Sequence, residues 1–419
     1  MASRSTRLMM ALSVPMLAAT HARADDWLGI SHETYLEDND RIAVETESIR
    51  DQQTFTPTSD LVTGAVFDAI SGATPIGAPA INQLKLTDSH THLPIPSSAI
   101  TGFARPVDGV SGASPTRQAT AANVIPLAKM SDDRLGLNVA PGFNYGSQRF
   151  VPEISFSGED DYLSFAPALN YSIALNDKNT ILNAGWSHAY DLVESNRFTY
   201  INHTATKNTD YYILGVTQLL SPGTVFSVNG TFEHAAGYLN DPYLGVVFDQ
   251  TILNSEGRVV LNGEKRPPTR DSEAVLLTLT QSVPAFDASI EGTYRFYQDS
   301  YGILANTFGL AWRQKLGQSW TLSPSVRYYR QSAANFYAIQ FPGNPATDAA
   351  AVPQYYSSDY RLSEMDSFTV GFEAIFRLKD QWDIHAGYQR YWMRGLDHVT
   401  MQSTYPGANI FTVGLTYNF

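Results

Sequence analysis

The last twelve residues of the chain, Ala408–Phe419, read ANIFTVGLTYNF. From Phe411 onward every second residue is apolar, and the residues between are Thr, Gly or Asn. This period of two predicts a β-strand with one apolar and one polar face. The strand would fit the edge of a soluble sheet, but an open apolar edge invites aggregation. Closing the sheet into a barrel removes the edge, so the stretch favours a β-barrel.

The end of this strand resembles the C-terminal insertion signal of bacterial outer-membrane β-barrels. In that signal a glycine is followed by aromatic or apolar residues at alternate positions, and the last residue is Phe. The matching positions here are Gly414, Tyr417 and Phe419. The resemblance implies that outer-membrane lipid and the barrel-assembly machinery are partners of the protein.

The first residues predict export. Arg4 and Arg7 precede the apolar run Leu8–Ala19, and an Ala-x-Ala cleavage site follows at Ala22–Ala24. This pattern is typical of a cleaved secretory signal peptide, which we assign to residues 1–24. That segment holds three of the 28 basic residues and none of the 41 acidic ones, so the mature chain has 25 basic residues and a formal net charge of −16.

The composition excludes several classes of protein and site. No stretch approaches the roughly 18 consecutive apolar residues of a transmembrane helix. The chain has no cysteine, which excludes disulfides, thiolate metal sites and a cysteine nucleophile. The acidic balance argues against nucleic acid as a partner. Aromatic residues make up 12% of the chain and mean hydropathy is −0.20, as expected for a membrane barrel in which half of each strand faces water.

Strand-like segments recur along residues 25–419, which we interpret as a single barrel domain. Short turns such as Asn176–Asn179 alternate with long connections such as 191–209 and 234–271. In outer-membrane barrels the short turns are periplasmic and the long loops extracellular. The pattern predicts an all-β, closed antiparallel transmembrane β-barrel of about 16 strands, within a range of about 12 to 16. The Pro- and Ala-rich stretch at about 71–131 is predicted to be a long loop or a lumen insert.

Charged residues of both signs fall on the strand face that cannot contact lipid. A charge facing lipid at the membrane midplane is costly, so these side chains are expected to line the lumen. The candidates are Glu233, Glu291, Arg295, Arg313, Arg327, Glu373, Arg377, Asp383 and His385. Glu291, Arg327 and Glu373 are expected near mid-height. They predict a polarised constriction that filters small solutes by size and charge, and the alternative is a salt-bridged lumen that conducts nothing.

The segment Asp88–Leu93 looks like metal chemistry. An acid followed by His90 and His92 resembles the first metal-ligand motif of amidohydrolase-type enzymes, and in extended backbone the three side chains would share a face. Those enzymes need alternating strands and helices, which this sequence lacks. We therefore predict no catalytic residue, no metal site and no cofactor, and the role of Asp88, His90 and His92 stays open.

Several stretches together resemble a bacterial family of unknown function, domain of unknown function 3570, whose members are exported and barrel-like. They are Asp68–Pro75, Glu159–Ser164, Gly237–Tyr243, Arg266-Pro267 with Arg270, Tyr294–Tyr297, Ser325–Gln331, Ala334–Tyr337 and Ser358–Leu362. The resemblance spans essentially the whole mature chain. It implies a location in the outer membrane of a Gram-negative bacterium and assigns no catalytic or binding residue.

Three functions follow from these expectations. The first is a porin-like channel for small solutes. The second is a non-conducting barrel that has a structural role or binds an unidentified protein partner through its long loops, above all 235–270. The third, an outer-membrane enzyme, would need a histidine and an acid within hydrogen-bond reach in a cleft. We expect the protein not to be an enzyme.

Overall fold

The computed structural model describes residues 26–104, 122–194, 204–379 and 381–419, so the predicted signal peptide lies outside it. In these ranges sixteen strands form a closed antiparallel barrel, and the last strand pairs with the first. The strands are β1 Trp27–Glu37, β2 Ile42–Thr56, β3 Ser59–Pro75, β4 Leu127–Tyr145, β5 Gln148–Gly158, β6 Tyr162–Leu175, β7 Thr180–Glu194, β8 Thr204–Ser221, β9 Thr224–Gly237, β10 Thr269–Val283, β11 Ala288–Asp299, β12 Leu304–Leu316, β13 Trp320–Gln331, β14 Met365–Leu378, β15 Trp382–Gly395 and β16 Gly407–Asn418. The predicted fold is confirmed.

The two ends of the barrel differ. The two terminal strands pair Trp27 with Asn418 at the end we call the turn end, where the other connections are short. The opposite end, the loop end, carries three long loops at 76–126, 238–268 and 332–364. Their sequences lack strand periodicity, which is why they leave the barrel wall.

Two predicted boundaries shift. The insert expected at about 71–131 is the first long loop, 76–126, because β3 and β4 continue past the predicted ends. The connection expected at 191–209 is shorter, because β7 runs to Glu194 and β8 starts at Thr204. An ion pair between Lys207 Nζ and Asp191 Oδ2, 3.0 Å apart, ties these extended strand ends together.

Side chains along each strand alternate between the outer and inner face. On β16, Phe411 and Val413 are 47% and 54% exposed and point outward, as the sequence period predicts. Outward aromatic pairs mark two levels: Trp382 with Tyr417 at the turn end, with ring centroids 4.5 Å apart, and Phe368 with Trp392 at the loop end, 6.2 Å apart. Such girdles mark the two interfaces of a membrane.

The described parts of the three long loops pack together at the loop end into one body, which we call the cap. Ile81, Val247 and Val259 form an apolar cluster that joins the first and second loops. Phe248 and Phe341 belong to another cluster, which joins the second and third. No helix in the described part of the chain is long and apolar enough to cross a membrane.

Candidate functional site

The strand alternation turns all nine candidate lumen residues away from the exposed apolar face. Their neighbours on the strands, such as Phe232, Val326 and Phe372, are 39–47% exposed on the outer surface. The candidates therefore line the inner wall, on strands β9 and β11–β15. Their role in a constriction stays a prediction.

Three of these residues are arginines without an acidic partner. Arg295, Arg313 and Arg327 lie on the consecutive strands β11, β12 and β13, and none makes an ion pair within the described ranges. The Arg295 guanidinium lies 5.1 Å from the ring centre of Tyr297, and that of Arg327 lies 5.6 Å from Tyr329. This sector of the wall is therefore positively charged and rich in hydrogen-bond donors.

The neighbouring strands β14 and β15 bring four other candidates together. Arg377 and Asp383 form a two-pronged ion pair near the turn end, with N–O distances of 2.8 and 3.1 Å. His385 Nδ1 lies 4.0 Å from Glu373 Oε1. Arg377 and Asp383 therefore balance each other's charge in this sector, and Glu373 has a histidine beside it.

Glu291, Arg327 and Glu373 lie on different levels of the wall. Through β12, strand pairing places Glu291 in the same row as Ser325 on β13. Arg327 lies two residues from Ser325, closer to the loop end. Glu373 pairs with Ser323, two residues toward the turn end. Two residues along a strand span about 7 Å, so the three charges lie in different rows of the strand pairing.

Between these charges the inner wall carries small or flat side chains. Asn138 lies over Gly64 of the next strand, where a Cβ would come within 2.3 Å of Asn138 Oδ1. Asn183 donates to Asn229 Oδ1 at 3.3 Å, and both amides lie over Gly215 between them. The glycines let the amides lie along the wall, so these side chains do not project across the lumen.

The second and third long loops are joined by a buried ion network, which the sequence analysis did not find. Arg266 lies 2.6 Å from Glu264 Oε1 and 2.9 Å from Asp359 Oδ2. Arg361 continues the network to Asp359 at 2.8 Å and to Asp241 at 2.6 Å. The stretches that carry the family resemblance contain four of these five residues, but nothing in them shows that they meet.

The carboxyl groups of the network respond to their surroundings in opposite directions. Burial raises the pKa of Glu264, and Arg266 offsets only part of that effect. Burial would also raise the pKa of Asp359, but the guanidinium groups of Arg361 and Arg266 outweigh it and hold that pKa below its usual 3.8. Asp359 is therefore the anion on which the network depends.

The cap should open in acid only at a pH below the usual pKa range of a carboxyl group. Stability from Asp359 is present above pH 3.8 and is lost as the pH falls through its lowered pKa. Glu264 binds its proton more tightly in the folded cap, so falling pH does not weaken the cap through that residue. We expect pepsin to cut within 238–268 only below pH 3.8. Cleavage that already begins near pH 4.5 would contradict this assignment.

A cavity of about 440 Å³ opens between the cap and the inner wall. Arg270 and Arg295 line it from the wall, and Asp241 and Arg361 line it from the cap. Arg270 pairs with Asp299 at 2.5 Å, which leaves Arg295 as the arginine of this cavity without an acid among the described residues. The cavity therefore offers guanidinium donors that fit a carboxylate or phosphate group.

The structure places other candidate chemical groups away from the lumen. His188 and His234 lie 3.0 and 2.6 Å from Asp210 and Asp271, but these pairs belong to the outward-facing rows of β7–β10. The segment 88–92 is a turn, in which Asp88 Oδ1 accepts from the amides of residues 90 and 91. The segment is not extended, so the arrangement in which Asp88, His90 and His92 would share a face is not formed, and the role of the cluster stays open.

An acidic group, which the sequence analysis did not single out, lies at the loop end. One carboxylate oxygen each from Asp132, Glu159 and Asp161 lies within 4.8 Å of the others. The hydroxyl of Tyr243 donates to Asp161. Burial, with the nearby charge of Asp132, raises the pKa of Glu159.

Comparison with known proteins identifies the family. A family model described as "Protein of unknown function (DUF3570)" matches residues 5–419. The chain belongs to the DUF3570 family. No curated protein matches the sequence.

Solved structures with a similar fold are outer-membrane β-barrels. A bacterial polysaccharide outer membrane secretin has a TM-score of 0.47 at 9% identity, covering 95% of this chain and 100% of that chain. OccK5 (OpdH) of Pseudomonas aeruginosa has a TM-score of 0.41 at 7% identity, covering 94% of this chain and 97% of that chain. OmpT of Vibrio cholerae, in its trimer form, has a TM-score of 0.40 at 10% identity, covering 94% of this chain and 98% of that chain.

Proposed function

We propose that this DUF3570 protein is a channel for small solutes in the outer membrane of a Gram-negative bacterium. The turn end faces the periplasm and the cap faces the outside. Outer-membrane lipid surrounds the barrel, and the assembly machinery inserts it. Solutes that fit the cavity of about 440 Å³ beneath the cap enter the barrel there.

The inner wall at mid-height carries the proposal. Barrels of about 16 strands leave an aqueous channel unless something fills them. Here the asparagines lie along the wall over glycines, as at Asn138 and Gly64. The three mid-height charges lie in different rows of the strand pairing, and no ion pair joins them to one another within the described residues. Solutes with a carboxylate or phosphate are favoured, because Arg295 and Arg327 have no acidic partner within the described ranges.

Single-channel recording of the refolded mature protein in a planar bilayer tests the proposal. We expect stepwise, ion-selective currents from heat-modifiable, folded barrel and none from the heat-unfolded sample. Electrical silence from barrel that is shown to be folded would overturn the channel.

One observation favours the alternative, a non-conducting barrel that binds a partner. Apolar clusters and the buried network make the cap compact, and a compact cap both covers the mouth and presents a defined surface. If the folded barrel is silent, the second long loop becomes the surface to test for partner binding. An enzymatic role has less support, because the histidine–acid pairs of β7–β10 face outward and not into a cleft.

A further inference from the structure

Ionisable side chains occur on the lipid-facing surface of β1 and β2. His32 pairs across the strands with Val413, which is 54% exposed on the outer surface, and with Glu47. Glu45 lies two residues further along the same face of β2 and is exposed. These side chains therefore point away from the lumen.

The patch lies near the middle of the membrane. On β16, the outward residues run from Tyr417 in the turn-end girdle to Asn409 near the loop end, and Val413 is halfway between them. His32 is at the level of Val413. Ionisable groups at this depth are costly when they face lipid and normally have a partner in the membrane.

Only some of the ionisable side chains of the patch have a hydrogen-bond or ion-pair partner within one chain. His32 Nδ1 lies 2.7 Å from Glu47 Oε1, and its Nε2 lies 3.0 Å from the Thr34 hydroxyl. Glu45 makes no hydrogen bond or ion pair with any described residue. The patch thus presents a histidine on one strand, beside two carboxylates on the next, to whatever covers it.

We propose that this face is the contact surface between two copies of the chain. The patch is self-complementary under a two-fold axis along the membrane normal. Such an axis places the β1 side of one barrel against the β2 side of the other at the same height. His32 of each copy then faces Glu45 and Glu47 of the other, which pairs the free carboxylate and removes all three groups from lipid.

A groove of about 340 Å³ runs across the patch, and its lining includes His32, Glu47, Ala65 and Val413. Ala65 is buried on this face, so the floor of the groove is recessed on β3. The same two-fold axis places β16 of one copy against β3 of the other, so the grooves of the two copies face each other.

Cross-linking in the native outer membrane tests the proposal. The chain has no cysteine, so a single introduced thiol reports one position. We expect Ile30→Cys, an outward residue beside the patch, to form a disulfide-linked dimer on mild oxidation. Leu214→Cys is the matched control, because it is 69% exposed on the outer face of the distant β8, against 45% for Ile30. Equal cross-linking at both positions, or none at Ile30, would overturn the dimer, as would a disulfide to a different protein.

Charge reversal and rescue provide a second readout. Glu47→Lys puts a cation in place of the carboxylate that His32 faces and should abolish the Ile30→Cys dimer. Adding His32→Glu restores the opposite charges in exchanged positions and should restore the dimer. Heat-modifiability of each variant shows whether the barrel has folded. A folded Glu47→Lys variant that cross-links as well as the parent would exclude this patch from the contact.

Discussion

Replacing Arg266 with alanine is expected to destabilise the cap by about 3–5 kcal/mol, the cost of leaving buried charges without their partner. The side chains of Glu264 and Asp359 are 0% and 2% exposed, and Arg266 bridges them. Without the Arg266 guanidinium, the buried Glu264 has no ion-pair partner among the described residues, and Asp359 keeps only Arg361. The second and third long loops should then separate, while the barrel wall keeps its own strand pairing.

Limited proteolysis at neutral pH measures this effect. We expect rapid cleavage within 238–268 and 332–364 in Arg266→Ala, with normal heat-modifiability. Arg258→Ala is the control, because Arg258 is in the same loop and pairs with the exposed Glu256, with 31% and 58% of their side chains accessible. Exposed pairs contribute about 0–1 kcal/mol, so this variant should resist cleavage. A cap as resistant in Arg266→Ala as in the parent would refute the role of the network.

Reversing the charge of Arg327 is expected to shift the ion selectivity of the proposed channel toward cations. The substitution Arg327→Glu changes the charge at the wall by two units, and Arg327 makes no ion pair with any described residue. In a partly screened lumen, this change in charge alters the free energy of a passing ion by about 1 kcal/mol. That corresponds to about a fivefold change in the permeability ratio. The reversal potential in a salt gradient measures the ratio directly.

Two comparisons make that measurement specific. Lys178→Glu makes the same change in charge in a tight turn outside the pore and should leave the reversal potential unchanged. Glu373→Lys should shift it in the opposite direction to Arg327→Glu, by less, because His385 lies near Glu373. Unaltered selectivity in both lumen variants would remove these residues from the ion path.

Much of the barrel could be predicted because a strand encodes its own two faces. The period of two in Phe411–Phe419 predicts both the strand and its outward side, and the same period places Arg295 and Glu373 inward. The directions of the side chains on β2 were harder to predict from the sequence. Both of its faces carry polar side chains, so only the observed pairing of His32 with Glu47 and Val413 shows that the acids point outward.

The sequence by itself determined a closed antiparallel barrel of about 16 strands, its short and long connections and the inward side of the charges on β11–β15. These features follow from local periodicity. The tertiary structure decided which distant groups meet. Arg266 and Asp359 are 93 residues apart in the chain, in loops without a regular pattern. Only closure of the barrel brings the ends of those loops together, so the cap network and the self-complementary patch follow from the register of the whole sheet.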